Sequence, residues 1–323
     1  MTPTLLPRLL LAGLLAAHTA AQADTVFVSL EKDNALAVVD PIAGILLKTV
    51  PIGLRPRGIA LSPDNAWLYV AASDEHTIKI LDTDSLEEQG QLPSGGDPET
   101  FALSPKGDRL YVSNEDDSQV TVVDIAHRNV IKQIPVGVEP EGIAASPDGK
   151  WLACASETTN MVHWIDTQTL AVVENTLVDP RPRALSFTAD SQQLWVTSEM
   201  AGSLMIMDTN TKKIIKTISF AIPGISSGKI QPVGIAIDPQ RRKAYVALGP
   251  ANRIAVLNAQ TYEVENYLLV GSRVWNIAFS PDHKRLYTAN GISNDISLID
   301  LDSQTVTKSV GVGTSPWGVA VRP

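Results

Sequence analysis

Cysteine is almost missing from this chain: Cys154 is the single one, so no disulfide can form within it. The five histidines fall in no C-x-x-C-H or H-x-x-E-like cluster, which argues against a transition-metal or c-type haem site and leaves no cofactor expected. Aromatic residues make up only 5% of the chain, and 26 Lys and Arg stand against 35 Asp and Glu. With a net charge of −9 and no basic stripe, a nucleic-acid partner is disfavoured. Ser73, Ser113 and Ser156 lie near predicted strand ends, but none has a G-x-S-x-G context or a histidine beside it in its own repeat. Acid-rich turns such as Asp82-Thr83-Asp84 and Glu115-Asp116-Asp117 lack the loop pattern of a dedicated calcium site.

Long apolar runs are also scarce. The stretch from Leu9 to Ala17 is shorter than the roughly 20 residues that span a bilayer. It follows Arg8 and precedes Ala21-Gln22-Ala23, the layout of a secretory leader with an A-x-A cleavage site. Residues 1–23 are therefore expected to be a signal peptide, residues 24–323 one domain, and the protein periplasmic or secreted, with no membrane span once the leader is removed.

What the chain has in abundance is repetition. Pro56, Pro98, Pro140 and Pro182 recur every 42 residues, as do Pro232, Val274 and Pro316. The interval from Pro182 to Pro232 is 50, which places eight extra residues around Phe220–Ile230. A fixed period of this size marks stacked supersecondary units that cannot bury their apolar faces alone. One unit contains four short strand-like runs, at Gly58–Leu61, Trp67–Ala71, Thr77–Leu81 and Glu88–Leu92, broken by turns such as Ser62-Pro63-Asp64-Asn65. Four-stranded antiparallel sheets arranged radially form an all-β propeller.

The ends of the chain complete the count at seven blades. The last unit supplies only the innermost strand a, and the chain after the leader begins with strands b, c and d. Pairing the two closes the ring and removes an open sheet edge. Strand a carries Gly58, Gly142, Gly234 and Gly318, as expected where blades converge on the axis. Cys154 falls at a position held by Val70, Val112, Val196, Val246 and Thr288 in other copies, and reads as core. Trp67, Trp151, Trp164 and Trp195 occupy strand positions and also read as packing.

Against this regular background, one set of positions varies. Just after the anchor stand Arg57, Glu99, Glu141, Arg183, Val233, Trp275 and Trp317; just before it stand Arg55, Asp97, Glu139, Arg181, Gln231, Arg273 and Ser315. Glu31, Glu115, Glu157 and Glu199 share one position at the end of strand b. Strand order puts both sets on the same rim, where loops held by a rigid scaffold carry function. A small-molecule or protein binding site and a solvated rim of salt bridges both fit these residues. Trp275 and Trp317 are expected to form an aromatic sector opposite the acidic one, and the inserted Phe220–Ile230 segment reads either as a lid or as tolerated loop lengthening.

The runs LYVSNEDDSQVTVVDIAHRNVIKQIPVGVEPEGIAASPDGK and LYTANGISNDISLIDLDSQTVTKSVGVGTSPWGVAV resemble the YVTN family of β-propeller repeats. With the leader and seven units, the chain further resembles propeller proteins associated with catabolism dependent on pyrroloquinoline quinone (PQQ). That resemblance implies a non-enzymatic accessory protein of periplasmic alcohol oxidation, with a quinone alcohol dehydrogenase or a transport-system component as partner. The tetrapeptide itself is replaced by LACASE, LWVTSE, YVALGP and VFVSLE, with the Asn kept only at Asn114 and Asn290. A second resemblance, to lactonase-type propellers, implies a hydrolase in which Glu99, Glu141 or Glu157 is the general base. A raised carboxyl pKa at the mouth favours the hydrolase, and full exposure of all three opposes it.

Overall fold

Residues 24–240 and 242–323 are described by a computed structural model, and the expected leader lies outside them. Among the described residues the chain forms seven four-stranded antiparallel sheets, each a meander, with two short 3₁₀ turns at Ser73–Glu75 and Ser227–Lys229. Blade one is the shared blade: Pro316–Arg322 pairs with Thr25–Leu30 in the register Phe27 to Ala320. The expected seven-bladed propeller and its closure are both present. No helix among the described residues is long and apolar enough to cross a membrane.

Strand alternation builds the core between blades. Each sheet faces its neighbours on both sides, so both faces of strands b and c are apolar. One cluster packs Tyr111, Val120, Val122 and Ile134 of blade three against Ile143, Leu152, Cys154 and Ile165 of blade four. Cys154 is fully buried there, and burial pushes its thiol pKa up, as befits a core side chain. Each fully buried Leu or Ile contributes roughly 1.5–3 kcal/mol, which makes the outer d strands, exposed along most of their length, the least stabilised part of each blade.

The convergence of strands a is tight. A Cβ on Gly142 would lie 1.8 Å from the Arg183 carbonyl oxygen, and one on Gly318 would lie 2.7 Å from that of Arg57. Glycine is required at these points because the neighbouring backbone occupies the space. In six blades strand a also carries a register shift between the anchor and the residue three places on, for example Pro56 opposite Ala72 but Ile59 opposite Val70. Such a bulge re-aims a side chain. Here it turns the residue after each anchor toward the axis.

Candidate functional site

Three local devices fix the mouth of the axial channel. The bulges project Arg57, Glu99, Glu141, Arg183, Trp275 and Trp317. The preceding residue is left-handed in six blades, with φ between 47° and 60° at Arg55, Asp97, Glu139, Arg181, Arg273 and Ser315. Non-glycine residues rarely adopt this conformation, and it persists only where neighbours hold it. The neighbours are visible: Glu31, Glu115, Glu157 and Glu199 donate backbone N–H bonds to the carbonyls of Ser315, Asp97, Glu139 and Arg181 at 2.8–3.0 Å. From the other side, Asn34, Asn160, Asn252 and Asn294 accept the N–H of Arg55, Arg181, Arg273 and Ser315. His76 does the same for Asp97 through Nδ1 at 3.0 Å.

The eleven predicted site residues are thereby brought together, and most are not on an open rim. Glu99 is fully buried, and Glu141, Glu157, Glu199, Arg183 and Trp317 are also buried. Arg57 pairs with Glu99 and lies 3.5 Å from Glu31, while Arg55 holds Asp97 at 3.0 Å and also Glu99. Across the mouth, Arg183 pairs with Glu141 at 2.7 Å and with Glu157. Arg181 bridges Glu157 at 2.9 Å and Glu199 at 3.1 Å, and Arg273 reaches Glu199 at 3.3 Å. Sequence reading named Arg55 and Arg181 as rim positions but did not select them as site residues. Their left-handed backbone, which no sequence pattern announced, makes them bridges.

Leaving aside the exposed Asp74, which also pairs with Arg55 at 3.1 Å, seven carboxyl groups (Glu31, Asp97, Glu99, Glu115, Glu141, Glu157, Glu199) thus face five guanidinium groups (Arg55, Arg57, Arg181, Arg183, Arg273). The surplus of two negative charges is relieved by protons. Burial and the nearby Glu141 charge raise Glu99 well above the usual carboxyl range. Burial, with the same charge adding, pushes Glu157 up to about 8. Burial also opposes ionisation of Glu141, but Arg183 and a hydrogen bond from Glu157 outweigh it and hold that pKa below its ordinary value. Glu115, raised chiefly by burial, is hydrogen-bonded to Glu99. Like charges this close cannot all ionise, and the coupled pairs titrate as units.

Inside this ring lies a cavity of about 180 Å³ lined by Glu31, Arg57, Glu115, Glu157, Arg183 and both tryptophans, among others. A second cavity of about 180 Å³ continues along strands a, walled by Thr100, Asn276, Ile143, Leu185 and Ile235, and shares Glu141, Arg183, Trp275 and Trp317. Arg57 Nε is buried without a hydrogen-bond partner among the described residues, so the mouth holds an unused donor. The tryptophans do not form a separate exposed sector. Arg57 lies 5.5 Å from the Trp317 ring, and Arg183 and Arg273 flank Trp275 at 5.5 and 4.4 Å. Arg57 stands in the blade next to that of Trp317, and Arg183 and Arg273 converge on Trp275, so each indole has a cation beside it.

Several expectations are corrected elsewhere. Trp164 and Trp195 are fully buried and Trp151 packs edge-on against Trp164, but Trp67 is 36% exposed at the outer start of its strand. Ser156 does have a histidine in its own blade: its Oγ lies 3.1 Å from His163 Nε2, and His163 Nδ1 lies 2.6 Å from Asn175 Oδ1. Pairing of Cys154 with His163 across the hairpin sets Ser156 beside the ring, a relation hidden by their seven-residue separation. His163 Nε2 also accepts the Gly137 N–H, and both side chains are buried, so the group pins a loop as Asn114 with Thr121 does in blade three.

Asp82 accepts the backbone N–H of Asp84 and Ser85, so that acidic turn is closed on itself. Asp97, Glu99 and Glu115 have carboxylate oxygens within 4.8 Å of one another, but Arg55 and Arg57 supply the counter-charge there. The inserted segment is no loose overhang: Phe220 and Ile230 are buried between blades five and six, with Ile222 and Ile225 packed beside them. Its Gly224-Ile225-Ser226-Ser227-Gly228 run fits G-x-S-x-G literally, yet both serines are exposed. Neither hydroxyl meets a histidine among the described residues.

The architecture defines a seven-bladed propeller with a charged, partly closed mouth. The chain belongs to the choice-of-anchor I domain family, whose model matches residues 113–279. A second family, described as lactonase, 7-bladed beta-propeller, matches residues 56–130, the segment with Arg57, Glu99 and Glu115. No curated protein matches the sequence. Among solved structures, hydrazine synthase of Kuenenia stuttgartiensis is similar with a TM-score of 0.79 at 21% identity, covering 85% of this chain and 92% of that one. A periplasmic gluconolactonase of Pseudomonas aeruginosa gives 0.77 at 19%, covering 93% and 99%. A Bacteroides uniformis protein assigned as a 6-phosphogluconolactonase gives 0.77 at 16%, covering 93% and 100%. At these identities the likenesses show the fold alone. The lactonase-family match overturns the expected non-enzymatic accessory role in PQQ-dependent alcohol oxidation, and burial of Glu99, Glu141 and Glu157 removes the condition that opposed a hydrolase.

Proposed function

We propose that this chain is an exported hydrolase of lactones, working at the mouth cavity with Glu157 as general base. The observation that carries the reading is a carboxyl group pushed up to about 8 by burial and the nearby Glu141 charge, on the wall of a cavity that Arg57 also lines. A base acts best when its pKa lies near the working pH, and carboxyls reach that range only by burial and like charge. The lactonase-family match over residues 56–130 and the fold shared with a gluconolactonase support a lactone as the class to test first.

In the proposed reaction, ionised Glu157 takes a proton from water as the oxygen attacks the lactone carbonyl. The oxyanion is stabilised by the Arg57 guanidinium on the same wall, a cation held in place by the Glu99 ion pair and the Trp317 ring. Collapse breaks the ring C–O bond, and the proton on Glu157 passes to the leaving alkoxide, giving the open hydroxy acid. Arg183 does not touch the substrate in this scheme; it positions Glu157 and keeps Glu141 ionised. The test is background-subtracted hydrolysis of glucono-δ-lactone by the wild-type chain and Glu157→Gln. Saturable turnover that falls about 10²–10⁴-fold in the variant is expected for loss of a general base; turnover unchanged by the substitution rejects the assignment.

A further inference from the structure

We infer that the mouth selects an uncharged, hydroxyl-rich lactone over a phosphorylated or carboxylated one. The chemistry rests on the hydrolase reading above, whereas the charge preference rests only on the composition of the ring. Each of the five guanidinium groups there is already ion-paired: Arg55 and Arg57 with Glu99, Arg183 with Glu141, Arg181 with Glu157 and Glu199, and Arg273 with Glu199. Carboxyl groups outnumber them by two. A phosphate entering this cavity would meet guanidinium groups that are each already paired with a carboxyl group, and at least two acids whose protons only balance the ring. Lys32 and Lys229 are exposed and do not line the cavity. An added negative charge is repelled by these carboxylates, and the guanidinium groups compensate it only by giving up their own partners.

Hydroxyl groups meet the opposite reception. Glu31, Glu115 and Glu157 line the cavity, and their carboxyl groups offer oxygens that accept from hydroxyls. The indoles of Trp275 and Trp317 offer apolar surface between them. A cavity of about 180 Å³ lies below the 300–1,000 Å³ range of drug-sized sites, consistent with a single small ring. The raised Glu99 and Glu157 agree, because a bound dianion would drive both higher still and keep the base protonated.

The experiment compares glucono-δ-lactone with its 6-phosphate as substrates, and the corresponding unreactive lactams, neutral and 6-phosphorylated, by calorimetry. Expected is at least about tenfold higher kcat/KM for the neutral lactone and tighter binding of the neutral lactam by a similar factor. Glu199→Gln, which releases Arg273 and part of Arg181, should narrow the gap. Neutral-lactam binding without turnover of either lactone would reject the hydrolase and leave the charge preference standing. Equal or tighter binding of the phosphorylated lactam, or binding of neither, overturns the inference.

Discussion

Replacing Glu157 by glutamine isolates the proton this group holds. An amide has the shape of a protonated carboxyl and can still donate to Glu141, while its one oxygen replaces only one of the two carboxyl oxygens, Oε1 and Oε2, that Arg183 and Arg181 reach. In the wild type the folded pKa is about 8 against an ordinary 4.5. Between those values the unfolded chain releases a proton that the folded chain keeps. The group's contribution is therefore fully present below pH 4.5 and is lost as pH rises toward 8. The slope is at most about 1.4 kcal/mol per pH unit, so from pH 5.5 to 7.5 the wild type should lose about 2 kcal/mol relative to the variant, after discounting for coupling to Glu141. Urea unfolding followed by tryptophan fluorescence at the two pH values, at fixed ionic strength, reads this difference. A gap between the two proteins that stays constant with pH would refute the protonation assigned to Glu157.

Three further outcomes follow from other contacts. Arg183→Met strips a buried cation from Glu141 and Glu157 and should lower stability by about 3–5 kcal/mol, more at pH 8 than at pH 6, in thermal unfolding. Gly142→Ala places a Cβ against the Arg183 carbonyl and should destabilise strongly, whereas Gly228→Ala, with nothing within 4 Å, should shift the melting temperature little. Burial lowers the pKa of His163 below its ordinary 6.5, so stability should be lost as pH falls below 6.5; His163→Gln should flatten that acid limb in pH-dependent unfolding.

The fold was legible because it is periodic. The 42-residue interval, the turn prolines and the small residues of strand a all report the same packing constraint, and the structure repeats it blade by blade. The mouth was legible as a location, since Arg57, Glu99, Glu141 and Arg183 break the pattern where the scaffold is otherwise regular. Its internal geometry was not. Whether Arg183 points to solvent or inward depends on a strand bulge, and the reach of Arg55 and Arg181 depends on left-handed backbone. Neither has a signature at non-glycine positions. The unequal protonation of Glu141 and Glu157 arises from burial and distance to Arg183, quantities that chain spacing does not encode. Trp67 misled for a related reason: strand membership sets which face a side chain occupies but not how far along the blade the core extends.

In the proposed hydrolase, Glu157 is a buried carboxyl at the mouth that titrates near pH 8 and activates water against a lactone. The pH dependence of background-subtracted kcat/KM for glucono-δ-lactone tests it most directly. The rate should climb with pH and level off, with its inflection near 8, and Glu157→Gln should give a flat, greatly reduced profile. A wild-type profile with its inflection in the ordinary carboxyl range, or no enzymatic turnover at any pH, would contradict it.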